Sequence, residues 1–116
     1  MGKEQVNVVD KVVCMSNFQQ VAQLHSSGKL TKAEKLFKKL DPSNPSHVKL
    51  MMQVDYELEK FSRCITRLES LLKMNTPVIL DREIYTLLGM CYLRLNNVRG
   101  CIKNLEKSIA IDSSVD

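Results

Sequence analysis

The chain has 116 residues, 44% of them hydrophobic, and sets 17 Lys and Arg against 13 Asp and Glu for a net charge of +4. That length makes one domain with a modest core. No apolar run reaches bilayer length and the N-terminal Met-Gly-Lys-Glu-Gln lacks a signal-peptide core, so neither membrane insertion nor secretion is expected. Gly2 does not open a myristoylation site, because Val6 stands where that motif wants a hydroxyl residue.

Apolar residues from Val9 to Leu24 recur with a helical rhythm, which predicts a helix from Val6 to Ser26 that Ser27-Gly28 ends. Thr31-x-x-Glu34 then reads as a capping box opening a second helix, stopped by Asp41-Pro42 because proline donates no helical hydrogen bond. Asn44-Pro45 reads as a cap followed by a first-turn proline, with a third helix to about Leu58 and His47 in its first turn. A fourth helix, Phe61 to Met74, has one apolar face containing Cys64, Ile65, Leu68 and Leu72. Thr76-Pro77 repeats the cap-then-proline device for a fifth helix reaching Leu95. After Asn96-Asn97, a sixth runs from Val98 to Ile111, with Cys101, Ile102, Leu105 and Ile109 expected to face inward. No segment alternates as a strand would, so the fold is all-α, with helical hairpins at about 6–41, 44–74 and 77–111 in one domain, 1–116.

Tyr85-x-x-Leu88-Gly89-x-x-Tyr92 followed by Cys101-x-x-x-Leu105 is similar to the consensus of the tetratricopeptide repeat (TPR) family. The same unit recurs upstream as Cys64-Ile65-x-x-Leu68 and Ala33-Glu34-x-x-Phe37. The anchors at 33, 64 and 101 stand 31 and 37 residues apart, a mean of 34, which is the period of that family. The match weakens backward: Met51-Met52 replaces Leu-Gly and Asp55 replaces Tyr in the second unit, and Gln20-Val21 replaces Leu-Gly in the first. A glycine inside a helix costs about 1 kcal/mol against alanine, and the resemblance explains Gly89 by close contact with the partner helix. Gly100 has no such place in the motif and is read as tolerance near a helix start.

The resemblance implies a right-handed superhelical array of three antiparallel hairpins, a TPR-like solenoid whose work is to hold partners. First helices line a concave groove in such arrays. Here that groove would present Phe18, Gln19, Ala22 and His25, then Lys49, Leu50, Gln53 and Tyr56, then Glu83, Thr86, Met90, Leu93 and Arg94. Its mixed lining suits a protein or peptide partner, an extended segment or a helix, although Leu50, Met90 and Leu93 also fit packing between units. The carboxylate clamp for the C-terminal Glu-Glu-Val-Asp peptides of Hsp70 and Hsp90 is missing. Phe18, Ala22, Leu50, Glu83 and Leu87 occupy its places, so those peptides are not expected partners. No polar capping helix follows the sixth helix, which predicts an exposed end around Leu105, Ile109 and the side of the fifth helix. Self-association, a docked partner or membership of a larger TPR-containing assembly would use that end.

Nothing in the sequence marks an enzyme: His25 and His47 lack a paired carboxylate or cysteine, and no phosphate loop or nucleophile motif is present. No catalytic residue, metal site or cofactor is therefore expected. Cys14, Cys64, Cys91 and Cys101 lack zinc spacing; Cys64 and Cys101 take the buried small-residue place, and reduced thiols place the protein in cytoplasm or nucleus. Lys29, Lys32, Lys35, Lys38 and Lys39 read as a solvated outer face, since no aromatic interleaves with them as single-strand binding requires. Nucleic acid is thus not the expected partner. The alternative function, an RNA-binding repeat resembling pentatricopeptide repeats, has Thr86 and the basic charge in its favour and Leu88-Gly89 against it.

Overall fold

Each hairpin is closed by the same left-handed turn. In the computed structural model, which describes residues 15–113, the residues with positive φ are Gly28 (75°), Glu59 (61°), Asn75 (51°) and Asn96 (61°). Three of these, Gly28, Glu59 and Asn96, sit between the two helices of a hairpin. The next amide donates back five residues in every case: Lys29 to the Leu24 carbonyl at 2.9 Å, Lys60 to Asp55 at 2.8 Å and Asn97 to Tyr92 at 2.8 Å. The left-handed residue itself donates three back, to His25, Tyr56 and Leu93, at 3.0 Å each time. This pair of bonds satisfies carbonyls that a helix C-terminus leaves open, and it reverses the chain in three residues. The turns stand 31 and 37 residues apart, matching the spacing of Ala33, Cys64 and Cys101, each five positions further on and each buried.

The described residues form six α-helices and one 3₁₀ turn, with no strand among them. None of these helices is long and apolar enough to cross a membrane. Chain contacts divide into two units, Met1–Leu40 and Asp41–Asp116.

In the first unit, α1 (Asn17–Ser26) packs on α2 (Leu30–Lys35), and a 3₁₀ turn, Phe37–Lys39, follows. The capping box lies at a different place from the expected one. Ser16 Oγ accepts from the Gln19 amide at 3.1 Å while Gln19 Oε1 accepts from the Ser16 amide at 2.9 Å, which starts α1 at Asn17. The part of the expected first helix from Val6 to Cys14 lies outside the described residues, as do Gly2 and the last three residues. Thr31 does not cap α2. The turn at Gly28 is so short that helix begins at Leu30 with Lys29 as its cap, and Thr31 is already inside. Helix α2 also stops at Lys35 instead of reaching Asp41. Leu36 donates to the Ala33 carbonyl, and the chain continues in 3₁₀ bonds from Lys39 to Leu36 and from Leu40 to Phe37 ahead of Pro42.

The second unit contains α3 (Pro45–Glu57), α4 (Phe61–Met74), α5 (Asp81–Arg94) and α6 (Val98–Ser113). Asn44 caps α3 as expected, its Oδ1 accepting from the Ser46 amide at 2.9 Å, with Pro45 at the helix start. Just upstream, Ser43 donates to Asp41 through both its amide and its hydroxyl, which holds the Asp41 carboxyl below its usual pKa. Thr76-Pro77 uses the same residue types with another result. The Thr76 hydroxyl accepts from the Val78 amide at 3.2 Å, Ile79 is buried, and α5 starts only at Asp81. Asp81 and Glu83 supply negative charge at its N-terminus in place of a side-chain cap. The buried thiols of Cys64 and Cys91 meet between α4 and α5, and their hydrogen bond, with burial, pushes the Cys64 pKa well up.

Asp55 is fully buried on α3, and two arginines of α4 neutralise it. Arg63 Nε lies 2.9 Å from Oδ1, with a second nitrogen of the same guanidinium also on that oxygen, and Arg67 Nε lies 2.5 Å from Oδ2. An unpaired carboxylate there would be prohibitive; saturated by two guanidinium groups it fixes how α3 meets α4. Asp55→Ala leaves the arginines facing an empty pocket and should destabilise by about 3 kcal/mol, the lower end of the range for broken buried pairs because both arginines reach solvent. Glu59→Gly should raise the melting temperature, gaining about 1 kcal/mol by removing left-handed strain and losing only a few tenths with the exposed Glu59–Arg94 pair. Thermal denaturation followed by circular dichroism checks both.

Candidate interaction surface on the last hairpin

Glycines on both helices bring α5 and α6 together. A Cβ at Gly89 would stand 2.8 Å from Leu105 Cδ2 and 3.3 Å from the Cys101 carbonyl oxygen, so only a bare backbone fits. Gly100 is equally constrained, which corrects its reading as mere tolerance: a Cβ there would lie 2.8 Å from two Tyr92 ring carbons. Met90 and Leu93 of α5 and Val98, Ile102 and Ile109 of α6 are exposed, and Leu105 is half-buried.

Ile102 and Ile109 were expected to face inward, and they do not. The preceding hairpin shows why periodicity misplaces them. Phe61 and Ile65, 37 residues before Val98 and Ile102, are 7% and 8% exposed, because α5 packs against α4. Val98 and Ile102 themselves are 59% and 51% exposed. The stripe at i, i+4, i+7 and i+11 is the same kind of apolar face, without a described helix over it.

Toward the start of α5 the surface becomes polar. Arg82 pairs with Asp112 at 2.8 Å, and the Thr86 and Ser108 hydroxyls meet at 2.8 Å. The Arg82 carbonyl accepts from both hydroxyls, at 3.0 and 3.1 Å. With Glu83 and Leu87 these residues line a cleft of about 380 Å³. Ser108 stands where the preceding hairpin has the buried Leu71, so a missing aliphatic side chain opens the cleft.

The expected groove residues divide by unit and by surroundings. Among those of the first unit, Gln19 is spent on the capping box, and Phe18, Ala22 and His25 are half-buried on α1. On α3, Leu50 is buried in the core and faces no groove, Gln53 is half-buried, and Lys49 donates its ammonium to the Val78 carbonyl at 2.9 Å. The Tyr56 ring meets Phe61 edge-on with centroids 5.6 Å apart, and Arg94 lies 4.9 Å over the same Phe61 while pairing with Glu59 at 2.9 Å. Glu83, Thr86, Met90 and Leu93 share the exposed side of α5. Sequence reasoning missed Arg82, Val98, Ser108 and Asp112; the apolar stripe on α6 was the available signal. Among the described residues no group of three or more His, Cys, Asp or Glu side chains could hold a metal ion.

Gly89→Leu should force α5 and α6 apart and lower stability by about 1–3 kcal/mol, against a helix-propensity gain of about 1 kcal/mol. A raised melting temperature would show that the close approach is not required. No protein-family model matches the chain, and no curated protein or solved structure matches it.

Proposed function

We propose that this protein is a non-catalytic interaction module, built as a TPR-like array of three hairpins, that docks an amphipathic helix of a partner protein on the α5–α6 face. One observation carries the reading: Ile102 is 51% exposed where Ile65, its counterpart, is 8% exposed beneath α5. The covered position supplies the template for the bare one. Helix α5 buries Ile84, Leu88 and Cys91, an i, i+4, i+7 stripe, and a partner helix carrying a similar stripe has the right shape for Val98, Ile102 and Ile109. The threefold turn and the small residues Ala33, Cys64 and Cys101 support the array, and the helix-terminus cleft with Glu83 and Asp112 favours a basic residue at the rim of the partner helix.

Helix α5 itself supplies a probe. A synthetic peptide copying residues 80–95, titrated into the full chain by calorimetry, should bind one to one with a micromolar dissociation constant. Ile102→Asp alters an exposed side chain, should leave the chain folded, and should weaken that binding at least tenfold, about 1.4 kcal/mol. An affinity unchanged by Ile102→Asp, or no binding at high micromolar peptide, would overturn the proposal.

A further inference from the structure

The chain's whole net charge sits on one short stretch, far in sequence from the apolar face. Residues 29–39 carry five lysines and one acid, Glu34, for a net +4; the remaining residues hold 12 basic and 12 acidic side chains and are neutral. Lys29, Lys32, Lys35, Lys38 and Lys39 are all exposed on α2 and the 3₁₀ turn after it. Among the described residues none of the five pairs with a carboxylate. At about 1.5 Å per helical residue and 2 Å per 3₁₀ residue they span roughly 17 Å of chain.

We infer that this lysine cluster is a sequence-independent contact for the phosphate backbone of double-stranded nucleic acid. A duplex offers about one negative charge per 1.7 Å of axis, so a span of about 17 Å meets more phosphates than there are ammonium groups, and long lysine side chains can reach them. Other polyanions fit the surface less well. Among the described residues the exposed large hydrophobics all lie between Leu80 and Ile109, so 15–40 carries no anchor for membrane insertion. A protein partner would want a buried aromatic or aliphatic hot spot, and lysine is depleted from such interfaces. Phe18 and Phe37 are half-buried, which leaves no exposed ring for stacking single-stranded bases. A duplex backbone needs neither ring nor anchor, and lysine meets it as a point charge. This inference is independent of the helix-docking proposal.

The test is fluorescence anisotropy of a labelled 20-base-pair DNA duplex titrated with the full chain between about 50 and 200 mM salt. The expected slope of log affinity against log salt is about −4, a loss of several hundredfold across that range. Replacing all five lysines by glutamine should abolish binding, whereas replacing all five by arginine should keep both affinity and slope. Unchanged circular dichroism spectra would show that both variants fold. A slope shallower than about −1, binding that survives the glutamine variant, or tighter binding to polyglutamate or anionic phospholipid vesicles than to the duplex would overturn the inference.

Discussion

The left-handed residue between paired helices is the constraint on which the architecture depends. At Gly28, Glu59 and Asn96 the backbone turns in three residues and satisfies its helix-end carbonyls in the same way each time. That leaves no slack in the register of the returning helix. Five residues later the chain is against its partner helix, and Ala33, Cys64 and Cys101 are the small side chains found there. Gly89 and Gly100 tighten the last pair further, and Met90, Leu93, Val98 and Ile102 are exposed on the same hairpin. The candidate interaction face is the side of α6 that, unlike the same side of α4, has no described helix over it.

The two hairpins of the second unit solve one packing problem with different chemistry. The α3–α4 pair has Met52 and Asp55 where α5–α6 has Gly89 and Tyr92. It lacks the glycine that permits close approach and holds its helices with a buried carboxylate and two arginines. The α5–α6 pair relies on contact between backbones. The first arrangement works through an ion pair that is costly to desolvate unless fully hydrogen-bonded, whereas the second needs only the absence of a side chain.

Much of this was readable in the residues because local chemistry determined it. Asn44-Pro45 could do little except start a helix, and the apolar rhythm from Phe61 to Leu72 has a single helical solution. Where the reading failed, the deciding interaction was distant or the residue was uninformative. Thr76-Pro77 looks like Asn44-Pro45, but burial of Ile79 delays α5 to Asp81. Nothing about a glutamate announces left-handed backbone, so Glu59 became legible only beside Gly28 and Asn96. Asp55 stood out as a departure from the repeat pattern, but its arginines lie eight and twelve residues on, beyond the reach of helical spacing. Ile102 and Ile109 show a further limit: periodicity identifies an apolar face without saying what covers it.

The central claim is that a helix docks where Ile102 and Ile109 are exposed, and it is a claim about place. Methyl NMR of the full chain with labelled isoleucines and methionines, titrated with a helix of α5 type, reports place directly. The account predicts shifts at Ile102, Ile109 and Met90, with Ile65 and Ile84, buried within the second unit, nearly unmoved. Perturbations confined to methyl groups away from α5 and α6, or none at saturating peptide, would contradict it.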